Sequence, residues 1–412
     1  MNTNAIKPRK ILRCLEKYRN SKAAIIITGF RRVGKTTVLK AVYDSTESSN
    51  KLFLDLETPV NQRLFANENY ESIILSLQGL GIDFSRQSFI FLDEIQFVKN
   101  IPSVVKYLFD HYSVKFYLTG SSSFYLKNHF TESLAGRKYV FNLYPLDFEE
   151  FLWFKDIQYD LQAFAAVSPD VFYDRFFGLY NEYMEFGGFP QVALEKSSAE
   201  KRLKLNDIIG AYFQLDVQSL AHFKDNDNLK KLLFLLPRRI GSKLDTGKLA
   251  QALGVTRSTV QSYIGFFEQT FLVNLLKPFS RSRDVEIKNK PKIYLLDTGI
   301  IGSLEKMSTA QILENKVFNQ LFARSAYDEQ NNLADPLQYY ATKQGQEIDF
   351  IYKQEIAYEV KQRASLHDVH NLKKRAQALG IPHYYVITLE QCPNHPRIIY
   401  PFFLHAENSP NR

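Results

Sequence analysis

Short apolar runs alternate with amphipathic stretches of helical period over the first part of the chain, to about residue 150. This alternation is typical of a parallel sheet covered by helices. The strands of such a sheet are buried on both faces, so they are rich in Ile, Leu, Val and Phe. We predict five strands, at 23–28, 51–56, 88–92, 114–118 and 139–143.

The pattern changes beyond this region. Tyr, Phe and Leu recur at helical spacing up to about residue 240, broken by a turn at 187–190, and shorter helical stretches follow. Strand-like runs return at 292–296, 347–352, 356–360 and 383–388. We therefore predict an α/β chain of four parts: a sheet domain over 1–150, a helical connector over 151–240, a small helical unit over 241–285 and a second α/β domain over 286–412.

Composition restricts the class of protein. Lys and Arg number 52 against 44 Asp and Glu, a formal charge of +8 that fits either a soluble protein or one with a nucleic-acid-binding face. The two cysteines, Cys14 and Cys392, suggest no disulfide framework. A membrane-spanning helix needs about 20 consecutive apolar residues, and no apolar run in this sequence approaches that length. We therefore expect a cytoplasmic protein without a membrane partner.

The first chemical motif follows the first predicted strand. The sequence GFRRVGKTT matches G-x-x-x-x-G-K-S/T and runs into a stretch compatible with a helix. In such a loop the glycines let backbone N–H groups face phosphates, the lysine reaches the β- and γ-phosphates, and the hydroxyl binds Mg²⁺. ATP and Mg²⁺ are thus the expected ligands, and a chance Gly-rich turn is the alternative. The predicted binding residues are Gly29, Phe30, Arg31, Arg32, Val33, Gly34, Lys35, Thr36 and Thr37.

Two acids end the third predicted strand, FIFLDE. A carboxylate at the carboxyl edge of a sheet, beside such a loop, suits an outer ligand of the same Mg²⁺, and we assign this role to Asp93. Glu94 is then placed to deprotonate the attacking water. The alternative is an ordinary solvated acidic pair.

An inserted strand between these motifs, and then a strand that ends in LTGSSS, resembles AAA-type ATPases. The resemblance implies that Thr119 or Ser121 senses the γ-phosphate. It also implies that Arg137, in LAGR, reaches the nucleotide of a neighbouring subunit, and hence a homo-oligomer. Small hydroxyl residues also favour turns, and an exposed arginine after glycine is common, so both alternatives stay open.

Over nearly its whole length the chain resembles prokaryotic AAA-type ATPases with an uncharacterised C-terminal region. The similarity includes the motifs above and YPLDFEEF, GGFP, EIDF and EVK, in that order. It implies an AAA-type P-loop domain with helices on both faces of its sheet, then a winged helix-turn-helix and a restriction-endonuclease-like α/β domain.

The stretch KLAQALGVTRSTVQSYI, at 248–264, reads as a helix, a glycine turn and a second helix capped by Thr256 or Ser258. It resembles a helix-turn-helix, in which Arg257, Thr259 and Gln261 would face a DNA major groove. Winged-helix units also serve as protein–protein spacers, so both partners remain open.

Near the C-terminus, Asp349 lies on one predicted strand, and Glu359 and Lys361 on the next, where period-2 alternation turns them to one face. The pattern resembles the PD-(D/E)XK nuclease fold, although the first motif reads EID instead of PD. Glu314 would be the helical acid. With Mg²⁺, Glu314, Asp349, Glu359 and Lys361 would cleave phosphodiesters; alternatively, the fold is an inert scaffold of ion pairs.

Two functions follow from these patterns. The first is a Mg²⁺-dependent ATPase coupled to DNA binding and to phosphodiester cleavage. The second is a nucleotide-dependent switch or assembly protein whose nuclease-like part binds protein partners and cuts nothing.

Overall fold

The computed structural model describes residues 6–66, 69–120, 134, 136–157, 159, 169–217, 226–280, 289–327, 336–342, 344–392 and 394–404. The chain forms two compact units. The first comprises Met1–Tyr144, Gln214–His222 and Gln269–Phe271, and the second comprises Pro145–Phe213, Phe223–Glu268 and Leu272–Arg412. The predicted boundaries at residues 150, 240 and 285 remain predictions.

A five-stranded sheet, in which every pair of strands is parallel, forms the centre of the first unit. All five predicted strands are confirmed, with ends shifted by one or two residues. Their order is β2-β3-β4-β1-β5, so β4 lies between β1 and β3 and the carboxyl ends of these three strands meet at one edge. The strands are β1 Ala24–Thr28, β2 Lys51–Asp55, β3 Ser88–Asp93, β4 Val114–Gly120 and β5 Lys138–Asn142.

Helices cover both faces of this sheet because alternate strand residues point to opposite sides. On one side Ile26, Ile90 and Leu118 belong to a buried cluster that includes residues of α3, α4 and α5. On the other, the ring of Phe91 stacks on Tyr117 and meets Tyr43 of α2 edge-on at 5.2 Å. The helices are α1 Ile11–Glu16, α2 Lys35–Ser45, α3 Pro59–Phe65, α4 Tyr70–Gly79 and α5 Ile101–His111, with a 3₁₀ turn at Ile95–Phe97.

The second unit begins with helices, as the aromatic periodicity predicts for 151–240. The segment Tyr212–Val217, a π-helix, directly continues the helix before it, and its residues from Gln214 onward belong to the first unit. These helices are α6 Phe148–Phe154, α7 Pro169–Phe186, α8 Pro190–Ala193, α9 Ser198–Ala211, α10 Asn226–Leu235, α11 Thr246–Leu253, α12 Arg257–Gln269, α13 Thr298–Leu304, α14 Thr309–Tyr327 and α15 Leu366–Leu379, with 3₁₀ turns at Pro237–Arg239 and Pro401–Phe403.

The predicted turn at 187–190 is organised by a buried aspartate. The backbone N–H of Gly188 donates to Asp297 Oδ2 at 2.7 Å, and that of Gly299 donates to Oδ1 at 2.8 Å. Lys316 Nζ lies 3.6 Å from the same carboxylate, and burial lowers the pKa of Lys316 to about 8 although Asp297 opposes the shift. A Cβ on Gly187 would overlap Asp297, so the turn requires glycine there.

A second five-stranded sheet, of order β12-β11-β10-β9-β8, lies in the second unit beside a β6–β7 pair. β8, β9 and β10 are antiparallel neighbours, whereas β10, β11 and β12 are parallel. The strand-like runs predicted here all form strands; β6, β8 and β12 were not predicted. The strands are β6 Val273–Leu276, β7 Lys292–Leu295, β8 Leu337–Ala341, β9 Glu347–Tyr352, β10 Ile356–Lys361, β11 His383–Thr388 and β12 Ile398–Ile399. The winged-helix and restriction-endonuclease-like assignments stay predictions.

Within the described ranges, no helix has both the length and the apolar character needed to cross a membrane.

Candidate functional site

The loop between β1 and α2 depends on its two glycines. Gly29 has φ +150°, and a Cβ there would collide with the carbonyl oxygen of Leu143. Gly34 has φ +100° and is the N-cap residue of α2. Both conformations lie in the region that favours glycine, so the motif glycines are required by the backbone path itself.

A buried arginine holds this loop from the N-terminal side. Arg9 donates one hydrogen bond to the carbonyl of Val33 at 2.8 Å and another to the carbonyl of Tyr144 at 2.7 Å. Its side chain is buried. Since the guanidinium group is always charged and keeps its donors in a fixed plane, it ties the loop to the segment after β5.

Lys35 lies in the first turn of α2 and is only 4% exposed. Its Nζ donates to the carbonyls of Gly29 and Phe30, both at 3.2 Å, so the ammonium group lies under the loop. Burial lowers the pKa of Lys35, and the nearby Glu94, Asp216 and Asp93 act in the opposite direction. Thr36 is half-buried and Thr37 exposed.

Three side chains from three elements meet at the carboxyl edge of the sheet. The hydroxyl of Thr119, at the end of β4, donates to Asp93, at the end of β3, and accepts from the backbone N–H of Glu94 at 3.0 Å. A side-chain hydrogen bond also joins Thr36 to Asp93. Burial raises the pKa of Asp93, and these two hydroxyl groups oppose the shift.

Glu94 follows directly and has a left-handed backbone, with φ +53°, which is uncommon for a residue other than glycine. Its carboxylate accepts a hydrogen bond from Gln96, which sequence reasoning did not single out. This conformation, in a residue beside the loop, marks a position that the surrounding structure determines.

Arg31, inside the loop, turns toward an acid that the sequence did not reveal. Its Nε lies 2.9 Å from Asp216 Oδ2, and its Nη2 lies 3.5 Å from Oδ1. Arg32, by contrast, is exposed and has φ +66°. The two neighbouring arginines therefore have different environments.

The two remaining candidates of the first unit are placed differently. Ser121 lies outside the described residues. Arg137 lies just before β5, forms an ion pair with Asp110 and packs over the ring of Phe109. It is therefore at the amino edge of the sheet, opposite the loop.

In the second unit the predicted helix pair forms. Gly254 ends α11 with φ +66°, and the hydroxyl of Thr256 accepts from the backbone N–H of Thr259 at 3.1 Å, capping α12. Arg257 and Gln261 are exposed, whereas Thr259 is half-buried and its hydroxyl bonds that of Thr256.

Two of the three acids predicted to bind metal, Glu314 and Asp349, lie beside a lysine. Lys292, on β7, is only 4% exposed, and its Nζ lies 3.5 Å from Glu314 and 3.8 Å from Asp349, and forms a further ion pair with Glu347. Burial lowers the pKa of Lys292, but the three carboxylates more than offset it and the net shift is upward. Burial raises the pKa values of Glu314 and Asp349, while Lys292 opposes both shifts.

Glu359 has cationic partners too. Lys361 Nζ is 2.9 Å from its Oε1, as the alternation along β10 predicts, and Arg375 of α15 pairs with its Oε2. Among the residues that the structure describes, no three His, Cys, Asp or Glu side chains are arranged to hold a metal ion. The carboxylates of the predicted set are paired with cations in this structure, Glu314 and Asp349 with Lys292, and Glu359 with Lys361 and Arg375. Their assignment as Mg²⁺ ligands stays a prediction.

Parts of the chain match three family models. Residues 21–152 match the model of an AAA domain. The N-terminal region is thus similar to AAA-type P-loop ATPases. Residues 178–311 and 309–395 match two domains of unknown function, DUF8612 and DUF4143, which assign no activity to the second unit. The AAA match supports nucleotide binding and ATPase activity in general terms.

The relatives extend over most of the chain. An uncharacterized protein from Haemophilus influenzae is 25% identical, with 90% of this chain and 91% of the relative aligned. One from Methanocaldococcus jannaschii is 26% identical over 79% of this chain and 71% of the relative. A crystal structure of a DNA replication initiation factor is 14% identical in sequence, and the alignment covers 63% of this chain and 86% of that protein. Its TM-score is 0.28, so the structural similarity is too low to support an inference.

Proposed function

We propose that the first unit binds ATP with Mg²⁺ and hydrolyses the nucleotide. The observation that carries this proposal is the convergence of Lys35, Thr36, Asp93, Glu94 and Thr119 at one edge of the parallel sheet. The similarity of residues 21–152 to an AAA domain supports it.

The residues present suit both ligands. Loop 29–34 comes within contact of the Leu143 carbonyl and leads into the N-terminus of α2, where backbone N–H groups and the helix dipole favour phosphate. Thr36 and Asp93 offer the oxygen ligands that Mg²⁺ prefers, already joined by a hydrogen bond. When bound, Mg²⁺ would neutralise charge on the β- and γ-phosphates.

Each side chain then has a defined task. Lys35 contacts the β- and γ-phosphates once it leaves its two carbonyl partners. Glu94 accepts a proton from the attacking water, because a general base must lie within one hydrogen bond of the water. Thr119 holds Asp93 and the backbone of Glu94 in register, so it links the metal position to the base.

For Arg137 we propose a role in a neighbouring subunit. β1 and β5 pair in parallel from Ala24 opposite Lys138 to Thr28 opposite Asn142. Arg137 precedes β5 and the loop follows β1, so the two are separated by the length of these strands, about 16 Å at ~3.3 Å per residue. Contact with a nucleotide would therefore come from a second copy in a homo-oligomer.

Binding of a fluorescent ATP analogue in Mg²⁺ tests the nucleotide site. Lys35→Ala should abolish binding, whereas Lys40→Ala, an exposed lysine on the same helix, should leave it unchanged. Equal affinities of wild type and Lys35→Ala would refute the proposal.

For the second unit we propose a role without cleavage, in which the nucleotide state of the first unit controls an interaction. Lys292 favours this role over a nuclease, because an ammonium group lies among the acids that a cation would need. Arg257 and Gln261, exposed on α12, make DNA one candidate partner.

Two measurements separate a DNA-coupled ATPase from a protein-binding switch. Duplex DNA that raises ATP turnover, with the increase lost in Arg257→Ala, supports DNA coupling. Turnover indifferent to DNA, together with assembly in ATP but not in ADP, supports the switch. Mg²⁺-dependent cutting of DNA that disappears in Asp349→Asn would refute the proposal of a non-cleaving unit.

A further inference from the structure

The ion pair between Arg31 and Asp216 has no place in the scheme above. Arg31 lies in the loop that we expect to surround phosphates, and Asp216 contacts it with both carboxylate oxygens, at 2.9 and 3.5 Å. The Asp216 side chain is 4% exposed and that of Arg31 is 16% exposed. A buried pair of this kind is retained against the cost of removing two charges from water.

Asp216 also lies within the electrostatic field of the nucleotide site. Burial raises its pKa; Arg31 and Lys35 lower it, and Glu94 raises it further. The carboxylate therefore shares its cationic neighbours with the phosphates that we expect to bind there. Arg31 lies in the same loop as Lys35, for which we propose contact with the β- and γ-phosphates, so we expect the terminal phosphate to be the group that reaches Arg31.

The position of Asp216 along the chain is unusual as well. Gln214–His222 belongs to the first unit, although the residues before and after it belong to the second. Asp216 lies in the π-helical segment Tyr212–Val217, which continues α9. Single π-turns are rare and occur frequently at functional sites.

We propose that Asp216 competes with the terminal phosphate of the nucleotide for Arg31, so that ATP binding releases the segment Tyr212–Val217. Guanidinium binds carboxylate and phosphate with the same planar, two-donor geometry, so one partner can replace the other. The phosphate also repels the carboxylate. This inference rests on the proposed ATP site and adds to it a residue that responds to the nucleotide state.

The first test is the affinity for ATP and ADP of Asp216→Asn, which keeps the size of the side chain and removes its charge. We expect ATP to bind about tenfold more tightly, corresponding to about 1.4 kcal/mol, and ADP to change much less. Asp44→Asn, an exposed acid on α2, is the control and should bind as wild type does. If Asp216→Asn and wild type have the same melting temperature without nucleotide, the variant is folded.

A double-mutant cycle with Arg31→Met tests whether the effect passes through the arginine. Arg31→Met alone should weaken ATP binding. Adding Asp216→Asn should then strengthen binding by clearly less than the about tenfold expected with Arg31 present, because only the repulsion between the carboxylate and the phosphate is removed. If Asp216→Asn weakens ATP binding, or leaves it unchanged, competition is refuted. If wild type itself fails to bind ATP, the proposed function fails first, so the two failures are distinguishable.

Hydrogen exchange gives an independent readout. The backbone amides of Tyr212–Val217 should exchange faster with ATP than with ADP in wild type, and equally with both in Arg31→Met. Equal exchange with ATP and ADP in wild type would contradict release of the segment.

Discussion

Replacing Lys292 by methionine removes the cation around which the acids of the second unit are arranged. The side chain is 4% exposed, and its ammonium group contacts Glu314, Glu347 and Asp349. Methionine has a similar length and fills the space without charge. Glu314 and Asp349 carry most of the effect, because Glu347 is 43% exposed and is better solvated.

The expected cost follows from the burial of these charges. Removing one partner of a buried ion pair leaves an uncompensated charge and destabilises by about 3–5 kcal/mol. In a unit of this size, each kcal/mol lowers the melting temperature by about 2–4 °C, so the second unit should melt about 6–20 °C lower at neutral pH.

Acidification should restore part of the loss. Burial already raises the pKa values of Glu314 and Asp349, and Lys292 opposes both shifts. Without Lys292 these pKa values rise further above those of the unfolded chain. A group with a raised folded pKa is stabilising at low pH and loses that contribution as pH rises through the folded value. The variant should therefore approach wild type as pH falls toward the usual carboxyl pKa of about 4.

Thermal unfolding followed by circular dichroism, from neutral to mildly acidic pH, is a suitable assay. Lys290→Met is the matched control, because Lys290 is 58% exposed and pairs with Asp245 at the surface, where such pairs contribute little. If Lys292→Met melted within about 2 °C of wild type at neutral pH, or if its deficit grew on acidification, the ion-pair account would be refuted.

Three further substitutions test the first unit. Thr119→Val removes the hydroxyl that joins Asp93 to the backbone of Glu94, and should slow ATP hydrolysis by about 10–100-fold, whereas Thr119→Ser should stay near wild type; equal rates would contradict the linking role. Gly29→Ala places a Cβ against the Leu143 carbonyl, so calorimetry should show ATP binding that is at least about tenfold weaker. Gly79→Ala is the control, because a Cβ at this position on α4 meets open space. Arg9→Met removes two buried hydrogen bonds made by a charged group, so the free energy of unfolding measured in urea should fall by about 2–4 kcal/mol. A decrease below about 0.5 kcal/mol would contradict a stabilising role of Arg9.

The sheet of the first unit could be predicted because its determinants are local. Each strand is a short apolar run bounded by turn residues, and burial on both faces makes the runs nearly continuous. The loop motif could be predicted for a similar reason, since the positive φ values of Gly29 and Gly34 restrict which residues fit. Asp93 and Thr119 could be placed together because parallel strands end at the same edge.

The partners that complete these sites could not be predicted, because they are distant in sequence. Arg9 reaches the carbonyl of Tyr144 and Arg31 reaches Asp216, and nothing in the local pattern pairs either with its partner. Lys292 begins a predicted strand, and alternation along that strand does not reveal that three acids from other elements surround the lysine. The short strand β12, with two residues, has too few positions to show a period.

The central claim, that the loop and the two acids form an ATPase site, is tested most directly by Mg²⁺-dependent ATP turnover of wild type, Lys35→Ala and Glu94→Gln, measured beside ATP binding. We predict turnover by wild type, neither binding nor turnover by Lys35→Ala, and binding with turnover at least about 100-fold slower for Glu94→Gln, as expected when a general base is lost. Turnover by Glu94→Gln at the wild-type rate, or no turnover by wild type that binds ATP, would contradict the account.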